Sequence, residues 1–151
     1  MARITIPWAG GQHQHNQRHI AALRKRGIDV DVFELFDSAI QRFREVPYRL
    51  ILTDIDIAPG GYDDSMMRLI MSRGVPICYR YVGAHIIELT RGTKANRRTP
   101  IVVVGCTDER DDSFGRCRDV HQFCREAGAN EYIYTGVATS DFVNTVQKYL
   151  Q

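Results

Sequence analysis

No aspartate or glutamate occurs before Asp29, although the same stretch carries Arg3, Arg18, Arg24, Lys25 and Arg26. Acidic metal ligands and carboxylate acid–base groups are therefore excluded from the first segment of the chain. Lysine is absent between Lys94 and Lys148, which leaves arginine as the fixed cation of that interval. The four cysteines (Cys78, Cys106, Cys117, Cys124) include no CxxC pair, so the commonest zinc and dithiol spacings are missing. Cys117 and Cys124 read instead as small apolar residues of one helix. No apolar run approaches the roughly 20 residues that span a bilayer, and Ile4 to Trp8 is too short for the apolar part of a signal peptide. A cytoplasmic protein is expected, with no membrane partner. A net charge of +2, without a basic stripe interleaved with aromatics, gives no support for DNA binding.

What is present alternates between strand-like and helix-like segments, without repeats or low-complexity tracts. In Arg3 to Trp8, residues Ile4, Ile6 and Trp8 alternate as in a strand, and Gln14 to Arg26 reads as a helix stopped by Gly27. Val30 to Phe33 is a second strand. Asp37 or Ser38 is expected to cap a helix carrying Ala39, Ile40 and Phe43 that ends at Pro47. Leu50 to Thr53 is a third strand and Ile101 to Val104 a fourth; both lack alternation, as strands buried on two faces do. A helix from about Asp112 to Ala127, closed by Gly128, a short strand Tyr132 to Tyr134, and a helix capped by Thr139 or Ser140 complete the order. The last helix has Phe142, Val143, Val146, Tyr149 and Leu150 on one face.

Strands alternating with helices imply right-handed crossovers and a parallel sheet covered on both sides. The expected fold is α/β, flavodoxin-like and doubly wound, with five parallel strands in the order 2-1-3-4-5. With 151 residues and 44% hydrophobic content, residues 1–151 should form a single domain with one real core. Residues 55 to 100 are too many for one helix and two short loops. An insertion at about 60–82 therefore precedes the helix Ala84 to Arg91. It holds Met66, Met67, Leu69, Ile70 and Met71, then Val75, Ile77, Tyr79 and Tyr81 in strand-like alternation. It is read as an elaborated loop, and as one of two candidate interfaces, since methionine-rich surfaces suit adaptable contacts.

The segment YRLILTDIDIAPGG, Tyr48 to Gly61, delivers Asp54 and Asp56 to a Pro-Gly-Gly loop at the carboxyl end of the third strand, where sheets of this kind place their ligands. With VFELFDSAIQRFREVPYRLILTDID (Val32 to Asp56), RRTPIVVVG (Arg97 to Gly105) and EAGANEYIYTGV (Glu126 to Val137), the chain resembles a response-regulator receiver domain. The resemblance covers nearly all of it outside the insertion. It implies that Asp54 matches the phosphoaccepting aspartate, and it names the residues that should surround it. The acidic pair that holds Mg²⁺ after the first strand is replaced by Pro7, Trp8, Ala9, Gly10 and Gly11. Thr135 stands at the invariant lysine, followed by Gly136 where a proline is usual. Gly105 takes the position of the switch hydroxyl, with Thr107 two residues late, and Tyr132 matches the aromatic switch residue.

Loss of a divalent cation and a lysine removes several kcal/mol of charge stabilisation from phosphoryl transfer. The expectation is a degenerate receiver, or pseudo-receiver, that is not an enzyme and needs no cofactor, Mg²⁺ included. It would act through protein contacts or through weak, atypical phosphorylation at Asp54. The implied partners are a sensor histidine kinase or another signalling protein, and a homodimer through the insertion or the last two helices and fifth strand.

Two other readings use the same residues. Gly10 and Gly11, with Arg18 and the histidines nearby, could form an anion- or nucleotide-binding loop at a helix start. The Asp54–Asp56 spacing also resembles the nucleophile motif of haloacid-dehalogenase-type phosphatases, with Asp111 and Asp112 as further acids, although the chain order differs. Asp56 could join Asp54 on a metal only where the strand has ended. His15 and His19 lie four apart, a spacing that metals use; with His13 they are read as solvated residues of a helix start.

Overall fold

The structure, a computed structural model, describes residues 2–11, 14–55, 57, 82–105 and 120–151. Five strands, β1 (Ile4–Ala9), β2 (Ile28–Phe33), β3 (Ile51–Asp54), β4 (Ile101–Gly105) and β5 (Glu131–Tyr134), form one sheet. All neighbouring pairs are parallel and the order is β2-β1-β3-β4-β5, as the alternation of segments predicts. The helices are α1 (Gln17–Lys25), entered through a 3₁₀ turn at Gln14–Asn16, α2 (Phe36–Glu45), α3 (Val82–Arg91), α4 (Val120–Ala127) and α5 (Thr139–Leu150).

Side chains alternate across the sheet, so each strand feeds two cores. On one face Ile51, Ile101 and Val103 pack with Phe36, Ile40 and Phe43 of α2, Ile86 and Ile87 of α3, and Cys124 of α4. On the other, Ile6, Trp8, Leu50, Leu52, Val102 and Val104 pack with Ile20 and Leu23 of α1 and Phe142, Val146 and Leu150 of α5. β3 and β4 are buried along their whole lengths, which explains their continuous apolar runs. Burial pushes the Cys124 thiol up to about 12, against a small lowering by Arg125. It stays a protonated, apolar core residue.

The helix starts differ from expectation. Asp37 lies inside α2, whose cap is Leu35 without a side-chain bond, and Asp37 Oδ1 accepts instead from the Ser38 N–H at 2.7 Å. α5 begins at Thr139 with Ala138 before it, again without a side-chain cap. Both starts follow an apolar residue rather than a polar one because Phe36 and Phe142, at or near the first turns, are fully buried. Packing has outweighed the roughly 1 kcal/mol that a cap contributes. The insertion as far as residue 81, Asp56, Thr107, Asp111, Asp112, His13, the cysteines Cys78, Cys106 and Cys117, and the first part of the helix expected from Asp112 lie outside the described residues. Among the described residues, no helix is long and apolar enough to cross a membrane.

Candidate functional site

Strand register places the indole of Trp8 beside Asp54. In the β1–β3 ladder Trp8 is opposite Leu52, so Asp54, two residues on, shares its face at a diagonal that aromatic side chains can bridge. Trp8 Nε1–H donates to Asp54 Oδ1 at 2.7 Å. Both residues are closed to solvent, Trp8 fully and Asp54 to within 4%. The indole is held by a stack: Phe142 of α5 lies parallel to Trp8 with centroids 5.4 Å apart, and His19 of α1 lies against the same phenyl ring at 4.2 Å.

The second carboxylate oxygen faces Asn16. Asn16 Nδ2 donates a long bond of 3.4 Å to Asp54 Oδ2, and Asn16 Oδ1 accepts from Thr135 Oγ1 at 2.9 Å. The carboxylate, which only accepts, turns the Nδ2 end of the carboxamide toward Asp54 and leaves Oδ1 to accept from the Thr135 hydroxyl. Thr135, at the position the resemblance assigns to lysine, thus reaches Asp54 through a neutral relay. Its carbonyl accepts from His19 Nε2 at 3.0 Å and Arg18 Nη2 at 3.3 Å, and Arg18 also reaches the Val137 carbonyl at 3.0 Å. Arg18 is therefore occupied on the β5–α5 connection. His19, expected in solvent, is fully buried, stacked on Phe142 with its Nε2–H donating to the Thr135 carbonyl.

Gly10 completes the enclosure. It has φ +103°, and a Cβ there would lie 2.6 Å from Asp54 Cβ, so no side chain fits between this turn and the carboxylate. Its N–H donates to the Phe33 carbonyl at 2.7 Å, which turns that donor away from any anion. Gly11 packs on the Trp8 ring, where an added Cβ would meet Cγ at 2.9 Å. The two glycines permit close packing around Asp54 and Trp8.

On the opposite face of the sheet, a second diagonal pair fills the switch position. Tyr132 is opposite Val103 and Tyr134 opposite Gly105 in the β4–β5 ladder, so Tyr132 is the diagonal neighbour of Gly105. A Cβ on Gly105 would overlap the Tyr132 hydroxyl. The phenol therefore occupies the space in which a serine or threonine side chain would stand. His121 of α4 lies over the same ring at 3.5 Å between centroids.

Hard divalent cations take oxygen ligands, with several carboxylates among them. Asp54 meets an indole N–H and a carboxamide N–H, whose positive ends point at its oxygens. Among the described residues no three His, Cys, Asp or Glu side chains come together. Among the described residues, these two N–H donors to Asp54 do not fit such an ion. Of the residues singled out in the sequence, Asp54, Thr135, Gly10 and Gly11 meet in one pocket, while Gly105 and Tyr132 meet across the sheet. Asn16 and His19 were missed as site residues; Trp8 was noted only for what it replaces.

No protein-family model and no curated relative matches the sequence. Solved structures resemble it along nearly its whole length. The receiver domain of a sensor histidine kinase from Pseudomonas aeruginosa, whose structure has magnesium coordinated in the active-site cleft, matches with TM-score 0.68 at 19% identity, over 99% of this chain and 98% of that one. A CheY-like response-regulator receiver domain from Methanospirillum hungatei matches with TM-score 0.68 at 15% identity, over 98% and 94%. A response-regulator-type structure from Chloroflexus aurantiacus gives 0.69 at 18%, over 98% of both. The fold is that of response-regulator receiver domains, the CheY-like form of the flavodoxin-like architecture.

Proposed function

We propose that this chain is a receiver-like signalling module whose aspartate pocket has been converted from a metal-assisted phosphorylation site into a closed, internally satisfied core. The observation that carries the reading is the 2.7 Å bond from Trp8 Nε1 to Asp54 Oδ1. An N–H donor stands where phosphoryl transfer in this fold would need a bound cation. Neutralising an incoming phosphoryl group is the main task of such sites, and an indole supplies only a dipole for it. Signals would then pass through the surface of the module to a partner, a sensor kinase or another signalling protein, with Asp54 as a structural acceptor rather than a phosphorylated residue. The Tyr132 ring, seated over Gly105, supports the same reading, because the space that the switch hydroxyl would use is already filled.

Incubation with acetyl phosphate and Mg²⁺ followed by intact-mass measurement tests it. The expected result is unmodified protein; a stoichiometric phosphoryl adduct that disappears in Asp54→Ala would overturn it.

A further inference from the structure

All five strands are parallel, so the helices run back and end at the pole of the sheet opposite Asp54. Cations in the last turns of helices complement the dipole, and Arg24, Lys25, Arg42 and Arg44 are of that ordinary kind. The loop from α3 to β4 goes further, since its charges stand on a frame fixed from two sides. Arg91 ends α3 and spends its guanidinium on backbone: Nη1 donates to the Thr99 carbonyl at 2.6 Å and Nη2 to the Gly128 carbonyl at 2.7 Å. Asn96 is fully buried. Its Nδ2 donates to the Phe43 and Val46 carbonyls at 2.6 and 2.7 Å, and its Oδ1 accepts from the Tyr48 N–H at 2.8 Å and Thr99 Oγ1 at 3.0 Å.

On this frame Lys94, Arg97 and Arg98 are exposed, and no described carboxylate pairs with any of the three. With Tyr48, Thr99 and Pro100 they line an open cleft of about 530 Å³, within the range of small-ligand sites. Three cations held within five residues repel one another in the free protein, and a backbone already fixed in place binds without the cost of ordering the loop. A ligand of dense negative charge gains most there, and guanidinium groups match phosphate oxygens in geometry. An extended nucleic acid is the poorer fit. Its bases need exposed aromatic faces to stack on, and Tyr48 is half-buried, set edge-on against Phe43 at 6.0 Å with its hydroxyl accepting from Arg42.

The geometry points to this cleft as a binding site for an oligophosphate group, free or as the ester of a small molecule, held by Lys94, Arg97 and Arg98. The site lies at the other end of the strands from Asp54, about 10 Å or more away at the rise of a β-strand, and does not rest on the receiver reading. Calorimetric titration of the full chain with inorganic triphosphate, and separately with ATP, tests it. One saturable site is expected for triphosphate; tighter binding of ATP identifies an ester as the ligand, and equal binding identifies the free oligophosphate. Arg97→Glu with Arg98→Glu should weaken binding at least about 30-fold, while Arg24→Glu with Lys25→Glu, the same charge change outside the cleft, should alter it less than about threefold. Thermal melts of both double variants, expected to match the wild type within a few degrees, establish that the exposed substitutions leave the fold intact. Absence of saturable binding, equal loss in the two variants, or binding of a single-stranded oligonucleotide that triphosphate does not displace would overturn the assignment.

Discussion

Trp8 and Asp54 sit on adjacent parallel strands, and the indole N–H of one is satisfied by the carboxylate of the other at 2.7 Å with both side chains buried. Each group solves the other's desolvation problem, because a buried carboxylate needs donors and a buried indole needs an acceptor.

Trp8→Phe keeps a ring against Phe142 and deletes the donor. Hydrogen bonds to charged groups contribute about 1.5–3 kcal/mol, so a loss of that order is expected in urea unfolding. In a double-mutant cycle with Asp54→Ala, the coupling should be about 1–3 kcal/mol; additivity within about 0.5 kcal/mol would show that the pair is incidental.

Gly105→Ser restores a side chain at the switch position and must displace the Tyr132 hydroxyl from the space that it fills. Overpacking of this kind costs about 1–3 kcal/mol. Combining Gly105→Ser with Tyr132→Ala should recover part of the loss that each substitution causes alone. If Gly105→Ser is as stable as the wild type, the ring is free to leave that space and the pair is not a fixed contact.

Glu131 opens β5, and its Oε2 accepts from Lys148 Nζ and from the Tyr149 hydroxyl, both at 2.8 Å. Burial alone would raise its carboxyl, but these two hydrogen bonds and the ammonium charge outweigh that and hold it below the ordinary value of 4.5. A carboxyl depressed in the folded state stabilises above its unfolded pKa, and the contribution is lost as pH falls through the folded value. The stability difference between wild type and Glu131→Gln should therefore be constant above about pH 6 and shrink on acidification through the glutamate range. A difference that grows on acidification would reverse the sign and contradict the assignment.

The fold was legible because its signal is local. Leu50 to Leu52 and Ile101 to Val104 are apolar without alternation, which only a doubly covered sheet explains, and the order of segments then left few topologies. Asp54 was legible through its place at the end of β3 and the motifs around it. Its partners were not, because Trp8 and Asn16 lie 46 and 38 residues away and neither is the residue type that the resemblance supplies. Trp8 stood out only as a departure from the acidic pair, and its bond to Asp54 carries no local signal. His19 shows the same limit: a polar residue near a helix start reads as solvated until the ring that covers it, Phe142, is placed beside it by tertiary packing. The hub at Asn96 joins α2, the start of β3 and the loop before β4, and no local pattern marks such a residue.

Trp8 is the only tryptophan, so its Nε1–H gives one indole resonance, and that resonance reports directly on whether the Asp54 pocket is closed. The account predicts slow exchange of this proton with solvent and an unchanged position when Mg²⁺ and acetyl phosphate are added. Rapid exchange, together with a saturable shift on Mg²⁺ addition that is lost in Asp54→Ala, would show an open carboxylate that admits the cation and would contradict it.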